Sequence, residues 1–191
     1  MNIIMTGSTS FVGAATVREL LRRGHTVTAI VRPDSSKLDT ILEGNEEALL
    51  TGHLLVTEND LSEPEKLLEK VTKPQDVFCH FGWGGSGSAS RTDKALQEKN
   101  MEISLETIRT AKALGCKKFL FSGSQAEYGM HQDLITEDTV CEPKSLYGEA
   151  KLAMREKGEK LCDELGLRYI HARIFSAYGP GDHPWTLVES C

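Results

Sequence analysis

Short apolar runs alternate along the chain with longer stretches whose apolar residues recur at helical spacing. Asn2 to Met5, Thr26 to Val31, Leu54 to Val56, Asp76 to Phe81, Lys118 to Ser122 and Leu167 to Phe175 read as six strands. Helices are predicted from Phe11 to Arg23, from about Thr92 to Leu114 and from about Tyr147 to Leu165. Gly24, Gly115 and Gly166 close them, because a helix often ends on a backbone conformation that only glycine adopts cheaply. The two central strands are apolar at consecutive positions, as expected when helices cover both sheet faces. This alternation predicts an α/β fold with a parallel sheet, and the chain shows no internal repeat.

The first strand runs into Thr6-Gly7-Ser8-Thr9-Ser10-Phe11-Val12-Gly13 and then a helix. A pyrophosphate needs backbone N–H groups and the positive end of a helix dipole, and the backbone can approach it only where side chains are small. The strand, turn and helix appear in the order such a dinucleotide site requires. Gly7, Ser10, Phe11, Val12 and Gly13 are therefore candidate cofactor-binding residues. An ordinary strand-to-helix turn is the plainer alternative. After the second strand comes Val31-Arg32-Pro33-Asp34. An acidic residue there would bind a ribose 2′-hydroxyl and favour NAD, whereas an arginine suits the 2′-phosphate of NADP. Arg32 directly follows the strand, so NADP is favoured over NAD; a solvated loop cation is the alternative role. Asp60 and Leu61 follow the third strand. Here the alternative is a helix start, with Ser62 as cap and Asp60 near its positive end.

Tyr147 and Lys151 stand four residues apart, hence on one face of a helix. A lysine ammonium beside a phenol favours the phenolate and should move its pKa toward the neutral range, where it can act as acid and base. Ser124 lies in Phe119-Leu120-Phe121-Ser122-Gly123-Ser124-Gln125-Ala126-Glu127-Tyr128-Gly129, at the end of the fifth strand. Another glycine-rich stretch, Gly82 to Ser88, follows the fourth strand at the sheet edge where ligands bind in open α/β folds. It reads either as a surface loop or as an active-site loop that orders on substrate.

Together these motifs resemble the extended short-chain dehydrogenase/reductases, the nucleotide-sugar epimerase/dehydratase group. The N-terminal turn is similar to the family's TGxxGxxG, with Ser10 at the middle glycine, where its hydroxyl could bond a phosphate. The Ser124 segment resembles the family's Ser-Ser-Ser-x-x-x-Tyr-Gly, and Arg173 to Gly181 its Arg-x-x-Asn-x-Tyr-Gly-Pro-Gly, with Ser176 in the asparagine's place. The resemblance implies a Rossmann-type doubly wound parallel sheet. It implies that Ser124 bonds the substrate oxygen, that Tyr147 passes the proton, and that Lys151 also holds the nicotinamide ribose. Asn100 supports the active site, and Asp60 and Leu61 contact the adenine. A polar residue satisfied inside the fold is the alternative for Asn100. The implied reaction is hydride transfer at a sugar carbon of a nucleotide sugar, by a 4-epimerase or a 4-ketoreductase. Dehydratases carry an Asp-Glu pair directly after the serine or threonine. Gln125 and Ala126 stand there, which argues against dehydration. A non-catalytic NAD(P) sensor, or an interaction module with a vestigial glycine turn, would have no need of Ser124, Tyr147 and Lys151 in register.

Composition changes this picture little. The 191 residues carry a net charge of −6, with 39% hydrophobic and 26% charged residues, an ordinary globular balance. A mildly acidic chain has no long-range field to draw nucleic acid or an anionic membrane. No apolar run is long enough to span a bilayer, and the N-terminus does not read as a signal peptide. The five cysteines are scattered and never form CxxC, which suits reduced thiols in the cytoplasm. The six histidines are equally dispersed, so no metal site is expected. Residues 1–191 are expected to form one NAD(P)-binding domain, ending before most of the family's C-terminal substrate region. Ile103, Leu105 and Ile108 belong to the helix that is the family's usual dimer surface. Core packing is favoured for most of them, which leaves a homodimer open.

Overall fold

The computed structural model describes residues 1–85 and 89–182. Six strands, β1 (Asn2–Thr6), β2 (Thr26–Val31), β3 (Leu54–Glu58), β4 (Val77–His80), β5 (Lys118–Ser124) and β6 (Arg168–Ile174), form one sheet ordered β3-β2-β1-β4-β5-β6. Every pairing is parallel. The strand order reverses between β1 and β4, so their carboxyl ends diverge and leave a crevice at that edge. This is the doubly wound Rossmann-type sheet expected from the sequence.

The apolar residues of each strand point alternately to the two faces. Ile4, Ile30, Phe78, Phe119 and Phe121 pack on one face with Ile108 and Met154. Ile3, Met5, Val27, Ala29, Val31 and Cys79 pack on the other with Ala14 and Val17. Helix α1 (Phe11–Arg22) therefore covers one face, while α5 (Lys94–Ala113) and α6 (Leu146–Leu165) cover the other. Ser10, Asp93 and Ser145 cap these helices, each accepting a backbone N–H of the first turn. Gly24, Gly115 and Gly166 follow the three helices with positive φ.

Some boundaries differ from the sequence reading. β5 continues to Ser124 because β6 pairs with it as far as Ser124 opposite Ile174. α5 starts at Lys94, since Asp93 caps it and Ala89–Thr92 form a separate 3-10 turn. The short helices α2 (Asp39–Leu42), α3 (Glu46–Leu50) and α4 (Leu67–Lys70) carry too few residues to show a period. Ile108 is wholly buried, and Met101 and Leu105 pack partly against the core. Among the described residues no helix is long and apolar enough to cross a membrane. No cluster of His, Cys, Asp and Glu there is arranged to hold a metal.

Candidate active site

The turn between β1 and α1 is built on two glycines that admit no side chain. Gly7 has φ +69°, and a Cβ on it would lie 2.7 Å from the Phe81 carbonyl carbon. A Cβ on Gly13 would overlap the Gly7 carbonyl oxygen. Ser10 sits in extended backbone, φ −75°, which any residue adopts, so the position has no conformational need for glycine. Its hydroxyl accepts the Gly13 N–H at 3.1 Å, and its first task is to cap α1. The neighbouring first-turn amides have no partner within the helix and lie at the positive end of its dipole. A phosphate group fits such a cradle.

From this turn a cleft of about 1020 Å³ runs along the carboxyl ends of the strands. At one end it is lined by Arg32, Lys37, Asp60 and Leu61, beside Ile30 and Val31. Asp34 does not line it. That residue takes φ +55° in the turn closed by the Ser35 N–H and the Arg32 carbonyl. Both exposed cations near the second strand's end therefore face the cleft, and the carboxylate between them does not. The Asp60 carboxylate accepts the Ser62 amide at 2.8 Å and its hydroxyl at 2.6 Å, which lowers its pKa. Ser62 thus caps no helix. The chain continues through a 3-10 turn, Pro64–Lys66, whose start has no side-chain cap.

The other end of the cleft brings together Ser124 from the end of β5 with Tyr147 and Lys151 from the first turns of α6. Ser124 bears on the Tyr147 phenol and works to lower its pKa. Lys151 is only 2% exposed. Its Nζ donates to the Ser122 carbonyl at 2.7 Å and lies 3.9 Å from the Trp83 ring centroid, 4.5 Å from that of Phe121 and 5.7 Å from that of Tyr147. Burial pushes the lysine down to about 7, against the pull of Glu127.

The expected effect of Lys151 on Tyr147 is therefore corrected. Burial raises the tyrosine pKa, and the opposing influences are the Ser124 side chain and the charge of Arg91. A lysine sealed in an aromatic box sheds its proton near neutrality and lends the phenol little positive field. The Arg91 guanidinium, by contrast, stacks over the Tyr147 ring at 4.9 Å.

Asn100 is buried on α5 and holds the loop after β4. Its side chain donates to the Gly84 carbonyl at 2.8 Å and accepts the Gly84 N–H at 3.0 Å. One turn on, Ser104 bonds His80 at 3.0 Å, and His80 bonds Thr6 at 2.8 Å, which in turn accepts the Gly82 N–H. Burial holds His80 down at about 3, so it stays neutral. Gly82 and Gly84 are thus tied to the interior, while residues 86–88 of the predicted glycine-rich loop lie outside the described residues. Ile174 and Phe175 also line the cleft, whereas Ser176 is exposed to solvent. Sequence reasoning does not single out Lys37, His80 or Arg91, and takes Trp83 only as part of the glycine-rich stretch. The one available signal for them is that they sit at or beyond the carboxyl end of a strand, or before a helix, at the ligand-binding edge.

The model of the NAD dependent epimerase/dehydratase family matches residues 3–189. The dTDP-6-deoxy-L-talose 4-dehydrogenase (NAD(+)) of Aggregatibacter actinomycetemcomitans is 29% identical over 89% of this chain and 60% of its own. The UDP-glucose 4-epimerase of Pisum sativum is 28% identical over 93% of this chain and 52% of its own. The structure of UDP-glucose 4-epimerase from Thermotoga maritima with UDP-glucose aligns over 97% of this chain and 59% of its own, at 25% identity and a TM-score of 0.80. The chain thus spans 52–60% of the length of these relatives.

Proposed function

The chain belongs to the NAD dependent epimerase/dehydratase family, and on that premise we propose that it is the cofactor-binding and proton-handling part of a nucleotide-sugar 4-ketoreductase or 4-epimerase. The observation that carries this reading is one cleft with two chemically distinct ends. Gly7, Ser10 and Val12 line it at the phosphate cradle, Arg32 and Asp60 at one end, and Ser124, Tyr147 and Lys151 at the other. A dinucleotide has that elongated, two-ended character. Gly7, Ser10 and Val12 would face its pyrophosphate and Asp60 and Leu61 its adenine, while Phe11 and Gly13, which do not line the cleft, would complete the turn behind them. Lys151 would face the nicotinamide ribose, while Asn100 keeps the Gly84 loop in place. When bound, the nicotinamide supplies hydride exchange at its ring carbon. Ser124 would orient the reacting sugar oxygen and Tyr147 would exchange its proton. Dehydration is disfavoured, since Gln125 and Ala126 offer the cleft no carboxylate and the next residue, Glu127, is wholly buried.

NADP(H) is the proposed preference over NAD. Two exposed cations, Arg32 and Lys37, line the end of the cleft near the second strand, and a 2′-phosphate would satisfy both. The test is a titration with NADPH and NADH, with Arg32→Ala and Lys37→Ala beside the parent protein. The expected result is at least tenfold tighter NADPH binding, about 1.4 kcal/mol, lost in either variant. Equal binding of both nucleotides would reject the NADP preference and turn the reading toward an epimerase with firmly held NAD.

A further inference from the structure

Behind the Ser124 end of the cleft lies an ionic cluster that takes no part in the proposed reaction. Glu127 is wholly buried just after β5, in the 3-10 turn Gln125–Glu127. Its Oε1 accepts the Ser124 backbone N–H at 2.7 Å. His171 Nε2 meets the same carboxylate at 2.9 Å and 3.0 Å, and Arg173 Nε donates to Oε2 at 2.8 Å. The outer partners are fixed in turn. Arg173 Nη1 donates to the Tyr128 hydroxyl at 2.8 Å, and His171 Nδ1 meets the Tyr169 hydroxyl at 3.1 Å. None of Glu127, His171 and Arg173 lines the cleft.

A buried carboxylate is costly unless charge and hydrogen bonds compensate. Here burial pushes the Glu127 carboxyl up, but hydrogen bonds and charge from His171 and Arg173 outweigh it and keep the group ionised. An Arg–Glu–His cluster that only joined β6 to the turn would have no need of the Ser124 amide. Yet that amide makes the shortest contact the carboxylate has. The serine is also held from its other side, because its Oγ accepts the Ala126 N–H at 3.2 Å. Ser124 and Glu127 thus close one turn reciprocally.

The sequence has made room for this. Where the resembling motif has three serines, this chain has Ser122-Gly123-Ser124. A Cβ on Gly123 would overlap His171 Nε2 and lie 2.6 Å from Glu127 Oε1. The cluster in this arrangement leaves no room for a side chain at Gly123.

We propose that Glu127, held by His171 and Arg173, is a positioning residue that grips the Ser124 amide and so aims the Ser124 hydroxyl at the Tyr147 phenol. The proposal rests on the reading of Ser124 and Tyr147 as the pair that handles the substrate oxygen and its proton. The groups that bear on the Tyr147 phenol are the Ser124 hydroxyl, the Arg91 cation and the Glu127 carboxylate, while Lys151 Nζ lies 5.7 Å from its ring centroid.

A double-mutant cycle on the Tyr147 titration separates positioning from mere support. Tyrosine labelled with ¹³C at Cζ is followed by NMR over the pH range in which circular dichroism shows the fold intact, and Tyr147→Phe assigns the signal. Glu127→Gln is made in the parent and in Ser124→Ala. In Ser124→Ala, loss of the carboxylate charge acts alone and moves the Tyr147 titration down. In the parent, the serine is also loosened, so the shift is expected to be displaced upward relative to that background. Equal shifts in the two backgrounds would overturn the proposal and leave Glu127 a structural residue. If Ser124→Ala itself leaves the titration unmoved, the Ser124–Tyr147 reading fails instead. Should Glu127→Gln not fold, His171→Gln in the same cycle carries the same two outcomes.

Discussion

Replacing Lys151 by methionine tests how the site is stabilised. In the folded chain this lysine sits in an aromatic box, and burial pushes its pKa from 10.5 to about 7. A tenfold loss of proton affinity is worth about 1.4 kcal/mol, so charging Lys151 costs the fold roughly 5 kcal/mol relative to the unfolded chain. Between pH 7 and 10.5 the unfolded chain binds the extra proton and the native state does not. Stability therefore rises with pH across that window, and the full cost is present below it. Methionine fills similar volume without charge but leaves the Ser122 carbonyl without the lysine's hydrogen bond, at about 1–3 kcal/mol. Lys151→Met should accordingly be more stable than the parent by about 2–4 kcal/mol at pH 6. The advantage should shrink by about 1.4 kcal/mol per pH unit above 7.5 and vanish or reverse near pH 10. Urea unfolding of both proteins from pH 6 to 10 measures this, since other groups titrate alike and cancel. A difference that does not change with pH would refute the reasoning. The Trp83 and Phe121 faces, with the Ser122 carbonyl, would then be holding the ammonium as well as water does.

The remaining predictions concern the frame of the cleft. Gly13→Ala places a methyl on the Gly7 carbonyl, so the turn must open. It should cost about 1–3 kcal/mol in thermal melts and weaken dinucleotide binding more than tenfold in a fluorescence titration. Asn100→Ala strands both the N–H and the carbonyl of Gly84. A loss of about 1–3 kcal/mol per group left unsatisfied is expected by denaturant unfolding, and Asn100→Asp should cost at least as much at neutral pH, because its buried carboxylate oxygen would face the Gly84 carbonyl.

The strands were legible because their apolar residues serve two faces at once, which leaves consecutive hydrophobic runs such as Ile3-Ile4-Met5. Gly7 and Gly13 were legible because a backbone with no room for Cβ admits one residue type. The spacing of Tyr147 and Lys151 was visible, but the lysine's environment was not. Trp83, from the loop after β4, and Phe121, from the middle of β5, seal it, and only the folded sheet brings them together. Glu127 shows the same limit. In the sequence it is one carboxylate in a polar stretch, and its burial depends on partners 44 and 46 residues away. The helices α2, α3 and α4 span four or five residues each, little more than a turn, and leave no periodic trace.

The reversal of strand order between β1 and β4 has a consequence for how such a protein can diversify. Arg32, Lys37 and Asp60 descend from β2 and β3, on one side of the switch point, whereas Ser124, Tyr147 and Lys151 hang from β5 and α6, on the other. Changes at well-separated sites combine additively. If Arg32 and Lys37 set the nucleotide preference as proposed, it can then drift by substitution on one wing of the sheet while Ser124, Tyr147 and Lys151 on the other stay in register. On that assignment a lineage can exchange its redox currency without first dismantling its chemistry.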